Sequence, residues 1–320
     1  MSDKPTVYLV HGMLETGHSH YAKQIPQWRD GYRVVPVDLP GHGRCQVDAT
    51  VPYYAQAVAY LRAVLDRFGP GHVVAASYVG VPVAVRCLLR APGTALSLTV
   101  HGFAPDVPKS VFDGWNQGFD RLAWLADRTP QLSESYVHLH GPRWKHTLDC
   151  VQRDIEEDYT GRVLVTSAMI RDLDLPVLVA NGDQRTAEKR AALAAGDIGP
   201  RVRGFVVPDA GHVPGRDNPA VFARVLREFW EHPERSPGDV RPTDPPAYRH
   251  GADSLRLRLS ELLQEPDDGR LLDSLETLSV LAYLDRQGVP VGRGELSDYP
   301  VTIAGWVDWL GERAVPGGKA

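Results

Sequence analysis

A chain of 320 residues exceeds one ordinary domain and suits a large domain joined to a small one. Apolar residues make up 43% and charged ones 23%, enough for a sizeable core in a water-exposed body, and no run nears the roughly 20 apolar residues of a membrane helix. The net charge of −5 is uneven: residues 1–249 hold 28 acidic and 28 basic side chains, residues 250–320 hold 12 and 7, which argues against nucleic-acid binding.

The N-terminal MSDKPTVYLVHG enters a strand without a charged-then-apolar leader. Cys45, Cys87 and Cys150 lack metal spacing and are odd in number. A reducing cytoplasm and no bound metal are the expectation. Buried parallel strands are predicted at Thr6–Val10, Arg33–Val37, His72–Ala76, Leu96–Val100, Pro176–Ala180 and Arg203–Val207. Helical patterns such as Tyr53–Phe68 and Val81–Leu89 alternate with them. That order predicts an α/β fold, a mostly parallel sheet with helices on both faces. The interval 107–172 breaks the alternation and is too long for a plain loop. With Trp115, Trp124, Tyr136, His138, Trp144 and His146, it reads as a helical cap. After the helix Ala220–Trp230, five prolines between Pro233 and Pro246 exclude a helix or inner strand and mark a semi-extended linker, 233–251. Residues 252–320 are expected to form a second, all-α region, with Leu275, Leu278, Leu281, Ala282 and Leu284 on one helical face.

Three segments join an apolar run to a turn with a reactive group: VYLVHG, AASYVG and PDAGHVPGRDNP. In that order they supply backbone donors, Ser77 and His212, the parts acyl transfer needs. Together with VDLPGHGRC they resemble the α/β-hydrolase superfamily over about residues 4–232, within an expected domain of residues 1–232. The resemblance implies Ser77 as nucleophile on a strand-to-helix elbow, His212 as its base, and the N–H groups of Met13 and Tyr78 as an oxyanion hole. His11 is expected to shape its turn rather than titrate. The elbow usually has glycine two residues either side of the serine; here Ala75 and Val79 stand there, with Gly80 one step late. For the acid, Asp183 in ANGDQRTAEK is the assignment, although the family often places it about where Arg185 falls. Asp106 and Asp209 are the alternatives.

The stretches ASYVG, HGFAPD and NGD…TAEK look like the acyltransferase branch acting on hydroxyacyl chains, and are similar to discrete thioesterases of polyketide and peptide assembly lines. In the tail, LLDSLETLSVLAYLDRQGVPV…YPVTIAGWVDWL resembles acyl and peptidyl carrier proteins. That likeness implies 4′-phosphopantetheine on Ser274, attached by a phosphopantetheinyl transferase; Ser254 in GADSL is disfavoured because the proline-rich linker precedes it. Asp273 and Glu276 also fit an ordinary capping box. The expectation is therefore a thioesterase or acyltransferase working on carrier- or CoA-bound acyl groups with assembly-line partners. A general carboxylester hydrolase and a non-catalytic scaffold bearing a carrier are the alternatives.

Overall fold

A computed structural model describes residues 4–234, 280, 300 and 302–307. In chain order its elements are β1 (Thr6–Val10), α1 (Gly17–His20), α2 (Ile25–Trp28), β2 (Arg33–Val37), α3 (Tyr53–Phe68), β3 (Gly71–Ala76) and α4 (Ser77–Arg90). Next come β4 (Ala95–His101), α5 (Lys109–Ala126), α6 (Pro130–His140), α7 (Trp144–Asp158), a π-helical turn (Tyr159–Val163) and α8 (Ser167–Arg171). The order closes with β5 (Val177–Gly182), α9 (Thr186–Leu193), α10 (Ala195–Ile198), β6 (Val202–Val207), α11 (Pro214–Asp217) and α12 (Pro219–Glu231). All six expected strands form, within two residues of their predicted ends.

The strands make one sheet in the order β2-β1-β3-β4-β5-β6, every pair parallel. Strand periodicity divides their side chains between two cores. Tyr8, Val10, Val73, Ala75, Val177 and Val179 face one, with Leu61 of α3 and Val81 and Val85 of α4. Val7, Leu9, Val74, Ala76, Leu178 and Ala180 face the other, with Phe222, Leu226 and Phe229 of α12. Each fully buried Val, Leu or Phe contributes about 1.5–3 kcal/mol relative to exposure, so the doubly covered sheet is a rigid floor. Reactive turns at its C-terminal edge inherit that rigidity.

The 107–172 interval is helical, as expected. It also braces the floor: Asp154 of α7, fully buried, accepts a hydrogen bond from the Tyr54 N–H at 2.8 Å, satisfying a free donor at the start of α3, and pairs with Arg162 at 2.8 Å.

The chain separates into two compact units, Met1–Asp120 with Ser135–Arg241, and Arg121–Glu134 with Pro242–Ala320. In the second, residues 303–307 are helical, Thr302 accepts from the Gly305 N–H at 3.0 Å, and Val280, Ile303 and Trp306 are fully buried. Ser274, Ser254 and most of the linker lie outside the described residues. Among the described residues, no helix is long and apolar enough to cross a membrane.

Candidate active site

Ser77 follows β3 directly and takes φ +55°, a left-handed value that L-residues adopt at a cost. The chain then breaks at Tyr78 (φ −89°, ψ 15°) before α4 continues. This sharp bend lifts the hydroxyl off the strand. The late glycine has a reason: a Cβ on Gly80 would stand 2.7 Å from the His11 carbonyl oxygen. Helix and β1 exit therefore touch at residue 80, while Val79 is free to bury its side chain in the core, 3% exposed. Pro82 has no N–H for the Tyr78 carbonyl four residues back, and the Tyr54 hydroxyl donates to that carbonyl instead, at 2.8 Å.

His212 lies in the loop after β6. Its Nε2 accepts from the Ser77 hydroxyl at 2.9 Å, and its Nδ1–H donates to Glu188 Oε1 at 2.7 Å. Glu188 is 7% exposed. Serine, imidazole and carboxylate thus form one continuous relay. Gly102, at φ +57° just past β4, supports the ring: a Cβ there would meet the His212 carbonyl oxygen at 2.5 Å and ring Cε1 at 3.1 Å. Only glycine fits that shelf.

Asp183 is not the imidazole's partner, which corrects the sequence assignment. It sits in the turn after β5, where its Oδ1 accepts from the Ala210 N–H at 3.1 Å and its own N–H donates to the Val207 carbonyl. Its short side chain is spent on bracing the histidine loop. Asp106 instead accepts from the Ser167 N–H at 3.1 Å. The carboxylate that reaches the ring is in the first turn of α9, three residues past Arg185. There the helix N-terminus favours a negative charge. The available signal was the TAEK string, where Glu188 is the first carboxylate after the strand-end turn.

The two residues expected to supply oxyanion donors are close to the hydroxyl along the chain or through a neighbour. Tyr78 is the next residue along the bend, and Met13 follows Gly12, where an added Cβ would stand 3.0 Å from Ser77 Oγ. His11 shapes this turn: its Nδ1–H donates to the Gly12 carbonyl at 2.7 Å and its Nε2 accepts from the Leu39 N–H at 3.0 Å. Burial holds this ring below the ordinary imidazole range, consistent with the neutral form that both bonds require. Two loops of the site are tied by an ion pair the sequence did not reveal. Arg216 of α11 meets Glu15 at 2.6 Å, and Glu15 also accepts from the Ser19 hydroxyl at 2.6 Å. Asp217 accepts from the Gly211 N–H at 2.7 Å, and burial pushes its carboxyl up to about 6.

Over the bend, the Tyr78 ring lies nearly parallel to His212, 11° apart with centroids at 6.5 Å. It packs against Phe103, Phe112 and Trp115 with centroids at 5.2, 5.1 and 4.5 Å. Trp115 is 38% exposed, so the aromatic lining runs from the relay to the surface. The other cap aromatics do different work: Trp144 packs at a tilt against Tyr136, and the His146 ring donates to the Ala49 carbonyl at 3.0 Å. Among the described residues, metal-type ligands gather at His146, Asp149 and Cys150, a group belonging to α7 rather than to the turns around Ser77.

A parallel sheet between helix layers, a serine on a strained strand-to-helix bend and a histidine from the loop after the last strand together define an α/β hydrolase. Residues 7–225 match the Alpha/beta hydrolase family, and the chain belongs to it. It is similar to NosK from Streptomyces actuosus, at 47% identity and a TM-score of 0.70, over 73% of this chain and all of that one. A stretch of 96 residues is 36% identical to the pimeloyl-[acyl-carrier protein] methyl ester esterase of Methylococcus capsulatus, spanning 30% of this chain and 36% of that protein. MenH from S. aureus shares the fold at 16% identity and a TM-score of 0.57, over 73% of this chain and 96% of that one.

Proposed function

We propose that this protein is a serine thioesterase or acyltransferase that takes its acyl group from a carrier- or CoA-bound thioester. The observation that carries the reading is the relay Ser77–His212–Glu188, with both hydrogen bonds at bonding distance and the serine on a strained bend. His212 Nε2 removes the hydroxyl proton as Ser77 Oγ attacks the thioester carbonyl. Glu188 steadies the imidazolium that forms. The N–H groups of Met13 and Tyr78 receive the oxyanion, a contribution of about 3 kcal/mol per donor in comparable sites. Collapse breaks the C–S bond; the proton passes from His212 to the departing sulfur, leaving a thiol and an acyl-Ser77 ester. Water, an alcohol or an amine then attacks that ester through the same base. Phe103, Phe112 and Trp115 line the path for the acyl portion.

The tail supplies the second half of the proposal. Its acidic excess and the LLDSLETL string suit a carrier region with 4′-phosphopantetheine on Ser274, and a semi-extended linker would keep its thioester at high local concentration. Basic assembly-line enzymes and a phosphopantetheinyl transferase are the partners this implies. An ester substrate is the second reading, favoured by the esterase named among the relatives. The intact relay weighs against a non-catalytic scaffold.

Thiol release from acyl-CoA and acyl-carrier thioesters, compared with turnover of p-nitrophenyl esters, separates these readings. The thioester reading expects the higher kcat/KM on thioesters, and turnover of oxygen esters alone overturns it. For the tail, incubation with a phosphopantetheinyl transferase and CoA should add one phosphopantetheine mass that Ser274→Ala abolishes. A protein that gains no mass, or a Ser274→Ala variant that still does, removes the carrier assignment.

A further inference from the structure

Glu188 stands on a helix rather than in the strand-end turn, so the seat of that helix decides where its carboxylate lies. Asn181, the penultimate residue of β5, is fully buried between that helix and the shelf under the histidine. Its Oδ1 accepts from the Phe103 N–H at 3.3 Å. Its Nδ2 donates both to the Phe103 carbonyl and to the Glu188 carbonyl, each at 2.8 Å. One N–H and two carbonyls converge there, and a primary amide is the side chain that offers one acceptor and two donors in a single plane. Aspartate would face two carbonyl oxygens with no proton to give.

The two backbone segments it joins meet the imidazole from different sides. Phe103 follows Gly102, the residue against the His212 ring and carbonyl. Glu188 holds Nδ1. We propose that Asn181 is a positioning residue of the relay. By tying Glu188's backbone to the Phe103 bend, it sets the carboxylate-to-imidazole distance that a turn-borne acid would receive from the strand itself. The inference rests on the serine-hydrolase reading above for its catalytic meaning, though the geometry it concerns can be read without turnover.

The test uses the full chain with Asn181→Leu, close in volume, and Asn181→Ser as the milder variant should the first not fold. Two readouts are taken. One is the far-downfield proton resonance of the His212 Nδ1–H···Glu188 bond, identified by its loss in Glu188→Ala. The other is the rate at which a fluorophosphonate modifies Ser77. The expected result is an upfield move or exchange loss of that resonance, with modification slowed about 10- to 100-fold, the scale of an ångström-sized misplacement. A folded variant with lowered Tm but unmoved resonance and unchanged rate would make Asn181 merely structural and overturn the proposal. Failure of the wild type to react at Ser77 would instead sink the hydrolase reading, while the resonance would still decide whether Asn181 sets the pair.

Discussion

The serine and histidine of the site are held differently from its carboxylate. Ser77 leaves β3 directly and His212 sits in the loop after β6, with a glycine contact beside each, Gly80 on the His11 carbonyl and Gly102 on the histidine. Glu188 lies on α9, one turn of helix removed, and is secured through the backbone by Asn181. Strand-borne groups inherit the sheet's rigidity; the helix-borne one needs a separate tie. Here the carboxylate's place depends on how α9 is seated.

The widest difference is expected between the two carboxylates. Glu188→Gln should lower kcat by about 10³- to 10⁴-fold, the scale seen when the orienting carboxylate of a serine triad becomes an amide. Asp183→Asn, touching only the histidine loop, should cost less than about tenfold on that scale. Steady-state kinetics on one thioester checks both, and equal losses would dissolve the distinction.

A smaller effect concerns the loop under the histidine. Burial raises Asp217 from 3.8 to about 6, with the Gly211 N–H, Arg216, His212 and Arg185 opposing the rise. The folded state binds this proton more tightly than the unfolded one. The associated stability is therefore full below about pH 4 and lost as pH rises through about 6. A shift of that size corresponds to about 3 kcal/mol at most. Asp217→Asn keeps an oxygen for Gly211 and cannot ionise. In urea unfolding, its stability relative to wild type should improve between pH 4 and 7 by up to that amount; a pH-independent difference would contradict the burial.

The smallest expected change is at the bend itself. Tyr54→Phe leaves the Tyr78 carbonyl without the hydroxyl that stands in for Pro82's missing N–H. It should cost about 1–2 kcal/mol in denaturant unfolding and slow reaction at Ser77 only slightly.

These contrasts also explain what was legible in the sequence. Runs such as VYLV and HVVAA are short, apolar and β-branched, so the strands and the turns that follow them were visible, and Ser77 and His212 with them. The helix Tyr53–Phe68 formed as its periodicity indicated. Glu188 was hidden because a carboxylate in a helix's first turn looks like ordinary dipole compensation, and its reach to His212 depends on side-chain length and on how α9 is seated. The Glu15–Arg216 pair spans 201 residues, a separation no local pattern records. The grouping of Arg121–Glu134 with the tail was equally invisible, since the cap reads as one continuous helical interval.

Active-site titration with a fluorophosphonate, read by intact mass and peptide mapping, tests the central claim most directly. One adduct per chain is expected on the peptide holding Ser77, none in Ser77→Ala, and strongly slowed reaction in His212→Ala. Labelling that survives Ser77→Ala, or a folded wild-type protein that stays unlabelled, would contradict it.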